Sequence, residues 1–403
     1  MYVPTKEVAE QVVAQFGTPI FLTDEATLRN QAARLIRAFD GTSAKIFFAI
    51  KANYNPHIVR TLKSAGVYGI DAVSPNEVRL ALDLGYTAEE IIFTPSNPST
   101  EEIRQVGEWG VLQNLGSLSE LSRFCALFPG KEVSLRICPE VGAGEFEEVT
   151  TGGIESKFGI SLSDLDEAAD IAKNADVPII GIHSHIGSGF YNDGVFGAAV
   201  EELCRQARLF PDATFIDVGG GFGVSYRLEQ AEVDIDVLAS SARATLKKFQ
   251  EDTERTLELY MEPGKYLVSA STALLVTVTT VKDKGGKRFI GVDSGFNHLV
   301  RPTMYGAYHH IVNLTRPEAQ VREVVVAGNI CESGDVFNHR IALADPEEGD
   351  LLAILTAGGY GSAMSSNYNM RSLAAEATVL DGEINLTRKR QQYRDILGSF
   401  EPI

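Results

Sequence analysis

Cysteine, tryptophan and positive charge are all scarce in this 403-residue chain, which has one tryptophan and four cysteines. The cysteines, Cys125, Cys138, Cys204 and Cys331, stand far apart with no CxxC pair. That spacing argues against a zinc ribbon and a disulfide framework, so no structural metal is expected. Lysine and arginine total 36 against 54 acidic residues, a net charge of −18. Such a chain repels a polyanion, so no nucleic-acid partner is expected. No apolar run is long enough to cross a bilayer. The opening, Met1-Tyr2-Val3-Pro4-Thr5-Lys6-Glu7, lacks the basic-then-apolar pattern of a secretion signal. The expectation is a cytoplasmic protein with no membrane partner. Repeats at solenoid periods and low-complexity segments are also missing.

What is present is ordinary globular material, 44% hydrophobic and 22% charged, in a length that suits two domains. From about residue 24 to 265, short β-like runs alternate with amphipathic helical stretches. The runs are Ile46–Ile50, Tyr68–Val73, Ile91–Thr94, Val111–Leu115, Val133–Cys138, Ile179–His185, Thr214–Val218 and Leu257–Glu262. They are short and rich in Ile and Val, as parallel strands buried on both faces should be. Pro56–Ala65, Pro75–Leu84 and Ser99–Glu108 open with Pro or a Ser cap, which suits helix N-termini. Eight strand–helix units favour a (β/α)8 TIM-type barrel over residues 24–265. Residues 266–403 change texture. Ser271–Lys282, Arg288–Val292, Val321–Ala327 and Leu351–Thr356 are β-like, and turn signals separate many segments. A C-terminal β-rich domain is expected there, with residues 1–23 pairing into it.

A barrel of this kind places its chemistry at the C-terminal ends of its strands. The unusual polar residues fall there. Strand one ends in Lys51-Ala52-Asn53 and strand two near Asp71, while Arg136 sits beside the end of strand five. Strand six ends in His183-Ser184-His185-Ile186-Gly187-Ser188, strand seven in Gly219-Gly220-Gly221, and strand eight in Glu262-Pro263-Gly264-Lys265.

Lys51 follows an apolar strand, where lost hydration lowers an amine pKa and favours imine formation with an aldehyde. A surface lysine laying its stem on apolar surface is the plain alternative. The triple glycine offers bare backbone amides to a phosphate, and Ser188 adds a hydroxyl donor from the neighbouring strand end. A dinucleotide fingerprint would need a helix opening at once, and Ser225–Asp234 reads as loop. His183 and His185 are alternate residues on one strand, so they share a face. Two histidines without an evident third ligand are a weak metal signal, and His185 can instead lie flat against a cofactor ring. Glu262 can meet a pyridine nitrogen and keep it protonated; an ordinary salt bridge is the alternative. The residues by themselves indicate a phosphate-bearing cofactor in a barrel mouth.

These motifs together resemble the fold-type III decarboxylases, and within them the diaminopimelate decarboxylase family. The likeness runs nearly end to end. It includes Phe16-Gly17-Thr18-Pro19-Ile20, Phe48-Ala49-Ile50-Lys51-Ala52-Asn53, Thr151-Gly152 with Ser156-Lys157-Phe158-Gly159, His185-Ile186-Gly187-Ser188, and Asp217-Val218-Gly219-Gly220-Gly221-Phe222. Later come Arg301-Pro302 with Tyr305, Cys331-Glu332-Ser333-Gly334-Asp335, and Met364-Ser365-Ser366-Asn367-Tyr368-Asn369. The resemblance implies an alanine racemase-like fold, a pyridoxal 5'-phosphate cofactor on Lys51, and decarboxylation of meso-diaminopimelate to lysine. It implies that His185 stacks on the cofactor ring. Asp71, Arg136, Ser188, Gly220, Gly221, Glu262, Gly264 and Lys265 would surround the cofactor. Lys265, Arg301 and Tyr305 would hold the distal end of an amino-acid substrate. It also implies a homodimer with shared active sites. In it Cys331, the catalytic proton donor, Glu332, a substrate ligand, and Tyr360, which touches cofactor and substrate, reach into the partner's barrel.

Three positions depart from that pattern. Lys265 stands where the family commonly has Arg, and a point charge replaces a two-pronged fork. Gly359 replaces Ala before Tyr360, and Ser372-Leu373-Ala374 replaces a more basic stretch. Substrate identity is therefore the open part. Ornithine, arginine, carboxynorspermidine or a siderophore or antibiotic precursor are the rival substrates. A racemase and a non-catalytic binding protein are the rival activities.

Overall fold

The computed structural model describes residues 1–139, 157–185, 187, 189, 191 and 193–401. The strands are β1 (Ile20–Asp24), β2 (Ala44–Ala49), β3 (Gly69–Ala72), β4 (Ile91–Phe93), β5 (Leu112–Leu115), β6 (Val133–Cys138), β7 (Ile160–Ser161), β8 (Ile179–His183), β9 (Phe215–Asp217) and β10 (Glu258–Met261). They continue with β11 (Thr272–Lys284), β12 (Lys287–Val292), β13 (Ile311–Asn313), β14 (Val321–Ala327), β15 (Val336–Ala344), β16 (Leu351–Ile354), β17 (Ala375–Leu380) and β18 (Glu383–Arg388).

The chain divides into two compact units, one of residues 32–224 and 232–266, the other of 1–31, 225–231 and 267–403. In the first, parallel strands run in the order β5-β4-β3-β2-β10-β9-β8-β6, and pairing of β5 with β6 closes the ring. This is the expected (β/α)8-type barrel; the short β7 pairs with Ile137 and Cys138 at the end of β6. The helices between strands start where capping dictates. Asn55, Ser74, Ser99 and Ser117 each accept from a backbone N–H of the first turn with their side-chain oxygens.

Side chains alternate along each strand, so residues in register share a face. Phe47 pairs with Gly69, Gly181 with Phe215, and Phe215 and Tyr260 stack at 4.1 Å between ring centroids. Phe47, Ile92, Phe215 and Tyr260 form one buried cluster. Gly69 and Gly181 make room for it: a Cβ at Gly181 would lie 2.0 Å from the Phe215 ring, and one at Gly69 2.7 Å from that of Phe47. Two residues further along the same strands, this aromatic floor gives way to Ala49, Asp71, Thr94, Arg136, His183, Asp217 and Glu262. The fold thus puts a polar layer directly above an apolar one, at the C-terminal ends of the strands.

The second unit holds a mixed sheet in the order β15-β14-β12-β11-β1-β17-β18, with β16 pairing β11 and β13 pairing β16. β1 lies between β11, antiparallel, and β17, parallel. One face of the sheet packs Phe21, Leu274, Val276, Ile290, Val326 and Leu352; the other packs Ala9, Val12, Leu22, Leu275 and Leu355. The long β11 alternates so that both cores draw on it.

Candidate active site

Lys51 does not lie in a strand. β2 ends at Ala49 and the lysine sits in a single tight turn, Ile50–Ala52. That turn lifts the side chain over the barrel mouth, where Nζ donates to Asp71 Oδ2 at 3.0 Å. The lysine side chain is 38% exposed and the aspartate 0%. Burial, then the charge of Glu262, push the Asp71 carboxyl up, and Lys51 opposes them. The amine is therefore accessible while its counter-charge is fixed in the wall.

His185 follows β8, which ends at His183 rather than running on to His185 as the sequence suggests. The two histidines do different things. His185 Nδ1 accepts the Gly220 N–H at 3.2 Å. Burial, then the charges of Arg136 and Lys51, lower its pKa to about 3, so the ring is neutral. Around it the backbone is stripped of side chains for a reason. A Cβ at Gly219, whose φ is +65, would lie 2.6 Å from His185 Nδ1, and one at Gly220 2.4 Å from the Glu262 carbonyl oxygen. Gly221 has φ +103, and a Cβ at Gly264 would meet Ala52 at 3.0 Å. Bare backbone, a neutral imidazole and a tethered lysine converge on one end of the barrel. Ser188, the other expected phosphate donor, and the Thr151–Ser156 motif lie outside the described residues.

Glu262 follows β10 and is buried. Its Oε1 accepts from Thr94 Oγ1 at 3.3 Å and its Oε2 lies 3.2 Å from His183 Nε2. Burial opposes ionisation, but the attraction and hydrogen bond of His183, then the charge of Lys51, hold this carboxyl well below its ordinary range. Arg136, in register with His183, is buried in the same layer, its guanidinium 4.3 Å from the centre of the Phe158 ring. Lys265 is also buried, at the start of the short helix Lys265–Val268.

The remaining expected residues belong to the second unit. Arg301 opens the helix Arg301–Tyr305 and is buried, donating from Nη1 to the Tyr226 hydroxyl at 2.7 Å. Tyr305 ends that helix, half-buried. Cys331 and Glu332 are exposed. Their loop is held from beneath by Asp335, whose carboxylate accepts from Phe296 N at 2.6 Å and Ile330 N at 2.7 Å. Asn369 Oδ1 accepts the Cys331 N–H at 2.7 Å. Tyr360 has φ +58, a left-handed value that ordinary side chains seldom adopt.

Sequence reasoning did not find Asp217. It ends β9, accepts the Gly219 N–H at 2.8 Å, and has ligand-type atoms within 4.8 Å of those of His183 and Glu262. The signal was present as an aspartate closing an apolar strand before a glycine turn, but only inter-strand register shows which residues it joins. The three-residue group also differs from the histidine pair considered from sequence, since His185 takes no part in it.

Can these residues hold a phosphate-bearing aldehyde? The stripped glycine backbone, the amine on a fixed carboxylate, and a buried anionic carboxylate fit an electron-poor ring with a basic nitrogen and a phosphate tail. Fold and site together define a barrel enzyme whose strand-end residues fit a phosphate-bearing cofactor. The chain belongs to the pyridoxal-dependent decarboxylase family: residues 25–269 match its pyridoxal binding domain and residues 265–358 its C-terminal sheet domain. It is 40% identical to diaminopimelate decarboxylase of Methanothermobacter thermautotrophicus, over 96% of this chain and 93% of that protein. It is 35% identical to the Escherichia coli enzyme of the same name, over 98% and 96%. Among solved structures it resembles diaminopimelate decarboxylase from Helicobacter pylori complexed with L-lysine (TM-score 0.90, 30% identity, 96% and 98% covered). Lysine/ornithine decarboxylase from Vibrio vulnificus, complexed with putrescine, is more distant (TM-score 0.81, 25% identity, 94% and 98% covered). The cofactor is pyridoxal 5'-phosphate and the activity that of an amino-acid decarboxylase.

Proposed function

We propose that this protein removes CO2 from meso-diaminopimelate to form L-lysine. The observation that carries the reading is the Lys51–Asp71 pair at the barrel mouth, set between the glycine backbone and Glu262. The full-length likeness to diaminopimelate decarboxylases supports the substrate.

When bound, pyridoxal phosphate supplies an electron sink for the pair left behind as the substrate's carboxylate departs. The chain does the rest. Lys51 would hold the cofactor covalently, and Asp71 would keep the lysine amine in place at the mouth. His185, neutral, offers a flat face against the ring. Gly220, Gly221, Ser188 and the Gly264–Lys265 turn take the phosphate. Glu262, kept ionised, takes the ring nitrogen, and Arg136 balances the negative charge of the layer below. Arg301, Tyr305 and Lys265 meet the distal carboxylate, and Glu332 the distal amine. The Cys331 thiol gives its proton to the α-carbon that has lost CO2.

Cys331, Glu332 and Tyr360 serve the partner's barrel in a homodimer. The exposure of Cys331 and Glu332 supports this, as do the exposed apolar side chains Met304, Tyr368 and Met370 on the same unit. A free, exposed thiol that must stay reduced suits the cytoplasm. Among the described residues, no helix is long and apolar enough to cross a membrane.

Measuring CO2 release with added pyridoxal phosphate tests the reading. meso-Diaminopimelate is expected to be turned over in preference to LL-diaminopimelate, lysine, ornithine and arginine. Faster turnover of ornithine or arginine would replace the substrate assignment and leave the cofactor chemistry standing.

A further inference from the structure

The polar layer contains more than the proposed function uses. His183, Asp217 and Glu262 come from the adjacent strands β8, β9 and β10 and are 0%, 1% and 5% exposed. In register, His183 pairs with Asp217 and Asp217 with Tyr260, two residues before Glu262. All three side chains therefore enter the barrel on one face. Three acidic or basic groups sealed in a barrel are costly unless they satisfy one another. Two atoms remain without a hydrogen-bond partner: His183 Nδ1 and Asp217 Oδ2.

We propose that His183 is the positioning residue that aims and fixes Glu262, with Asp217 standing beside it as a neutral acid, so that the pair acts on the cofactor's ring nitrogen through Glu262. The proposal rests on the assignment of Glu262 to that nitrogen.

The geometry gives each atom one task. Glu262 as a carboxylate only accepts, so the 3.2 Å contact requires the proton of His183 to be on Nε2. Thr94 holds the other oxygen. Between them, the two wall donors leave the carboxylate one orientation. Asp217 sits too close to Glu262 for both to be charged in a buried site. Burial, then the charge of Glu262, push its carboxyl well above the usual range, against the Gly219 N–H that opposes them. The proton has a clear place. Oδ1 is occupied by the Gly219 N–H at 2.8 Å, which leaves Oδ2, the atom with no donor facing it. A protonated Oδ2 turns an orphaned acceptor into a donor directed at the layer containing Glu262. The same aspartate thus steadies the glycine turn with one oxygen and keeps the charge on Glu262 with the other. Lys51, Asp71, Arg136 and His185 are the other charged or titratable groups acting on these three.

The test separates a role felt at the ring nitrogen from general support of the fold. Cofactor-free protein is titrated by equilibrium dialysis with pyridoxal phosphate and with its 1-deaza analogue, in which C–H replaces the ring nitrogen. Wild type is expected to favour the natural cofactor by about tenfold or more. His183→Leu should lose that preference to within about twofold while binding the analogue as wild type does. His183→Gln, which still donates, should keep most of it. Asp217→Asn, neutral by construction, should keep it too. If Leu disrupts the layer, His183→Met gives the same comparison. A full preference in the Leu or Met variant would overturn the role of His183 and leave the Glu262 assignment intact. Loss of preference in Asp217→Asn would show that Asp217 is charged and overturn its part. No preference in wild type would overturn the Glu262 assignment and this proposal together.

Discussion

Lys51 Nζ stands 3.0 Å from Asp71 Oδ2, with the carboxylate sealed in the barrel wall and the amine open to the mouth. The asymmetry matters: the counter-charge stays in place while the amine leaves and returns. Asp71→Asn keeps the shape and removes the charge. We expect kcat/KM to fall roughly ten- to hundredfold, about 1.4–2.7 kcal/mol. Lys51→Ala should show no visible absorbance from a covalently held cofactor and no borohydride-fixed adduct. Unchanged turnover in Asp71→Asn, or full activity in Lys51→Ala, would refute the assignment.

Of Gly219, Gly220 and Gly264 at the strand ends, Gly220 has the least room for a side chain. A Cβ there would lie 2.4 Å from the carbonyl oxygen of Glu262, which is backbone and cannot swing aside. Gly220→Ala should therefore move a strand end and weaken cofactor binding by about tenfold or more, near 1.4 kcal/mol. Gly285→Ala is the control, since nothing lies within 4 Å of its added Cβ, though its φ of +59 carries a small cost of its own. Equal cofactor affinity in Gly220→Ala and wild type would show that this turn does not line the cofactor site.

These two expectations also show what could be read from the residues alone. Lys51, Asp71 and Glu262 were legible because an apolar run that stops at a charged residue marks a strand end, and barrels place their chemistry there. The helix starts were legible in Pro56, Pro75 and Ser99, since proline and a serine cap act on the first turn alone. Asp217 was not, because its importance lies in what it faces across two strands, and register is set by the whole closed ring. Strands β13, β15, β17 and β18 were missed in the second unit. Asn338-His339-Arg340 and Glu383 to Arg388 carry too many polar residues to read as strand, since β15 and β18 flank the sheet and turn much of their length to solvent.

The lowered pKa of His185 makes stability depend on pH. A buried neutral imidazole takes up fewer protons than the unfolded chain does between pH about 6.5 and about 3. The unfolded state gains protons as the pH falls, so folding stability drops with it. At pH 5 the cofactor-free wild type should have lost about 2 kcal/mol through this one group relative to pH 7 or above. His185→Gln should lack that component. Urea midpoints at pH 7.5 and 5 for both proteins measure it. An equal acid loss in the variant would mean that the imidazole is not held neutral.

Cys331 and Glu332 are exposed on the unit that carries them, whereas Lys51 belongs to the barrel unit. If each site takes its lysine from one protomer and its thiol from the other, two inactive variants should rescue one another. Lys51→Ala and Cys331→Ala are each expected to be nearly inactive alone. Unfolded together, mixed and refolded, half of the dimers are mixed. Each mixed dimer then holds one site with both residues intact, and the other site has lost both. Activity should return to roughly a quarter of wild type, the statistical value for a twofold interface. Sites built within a single protomer would give no recovery, because every site in the mixture would still lack one of the two residues. Sedimentation of the refolded mixture confirms that dimers formed, so a lack of recovery would speak against shared sites and not against refolding.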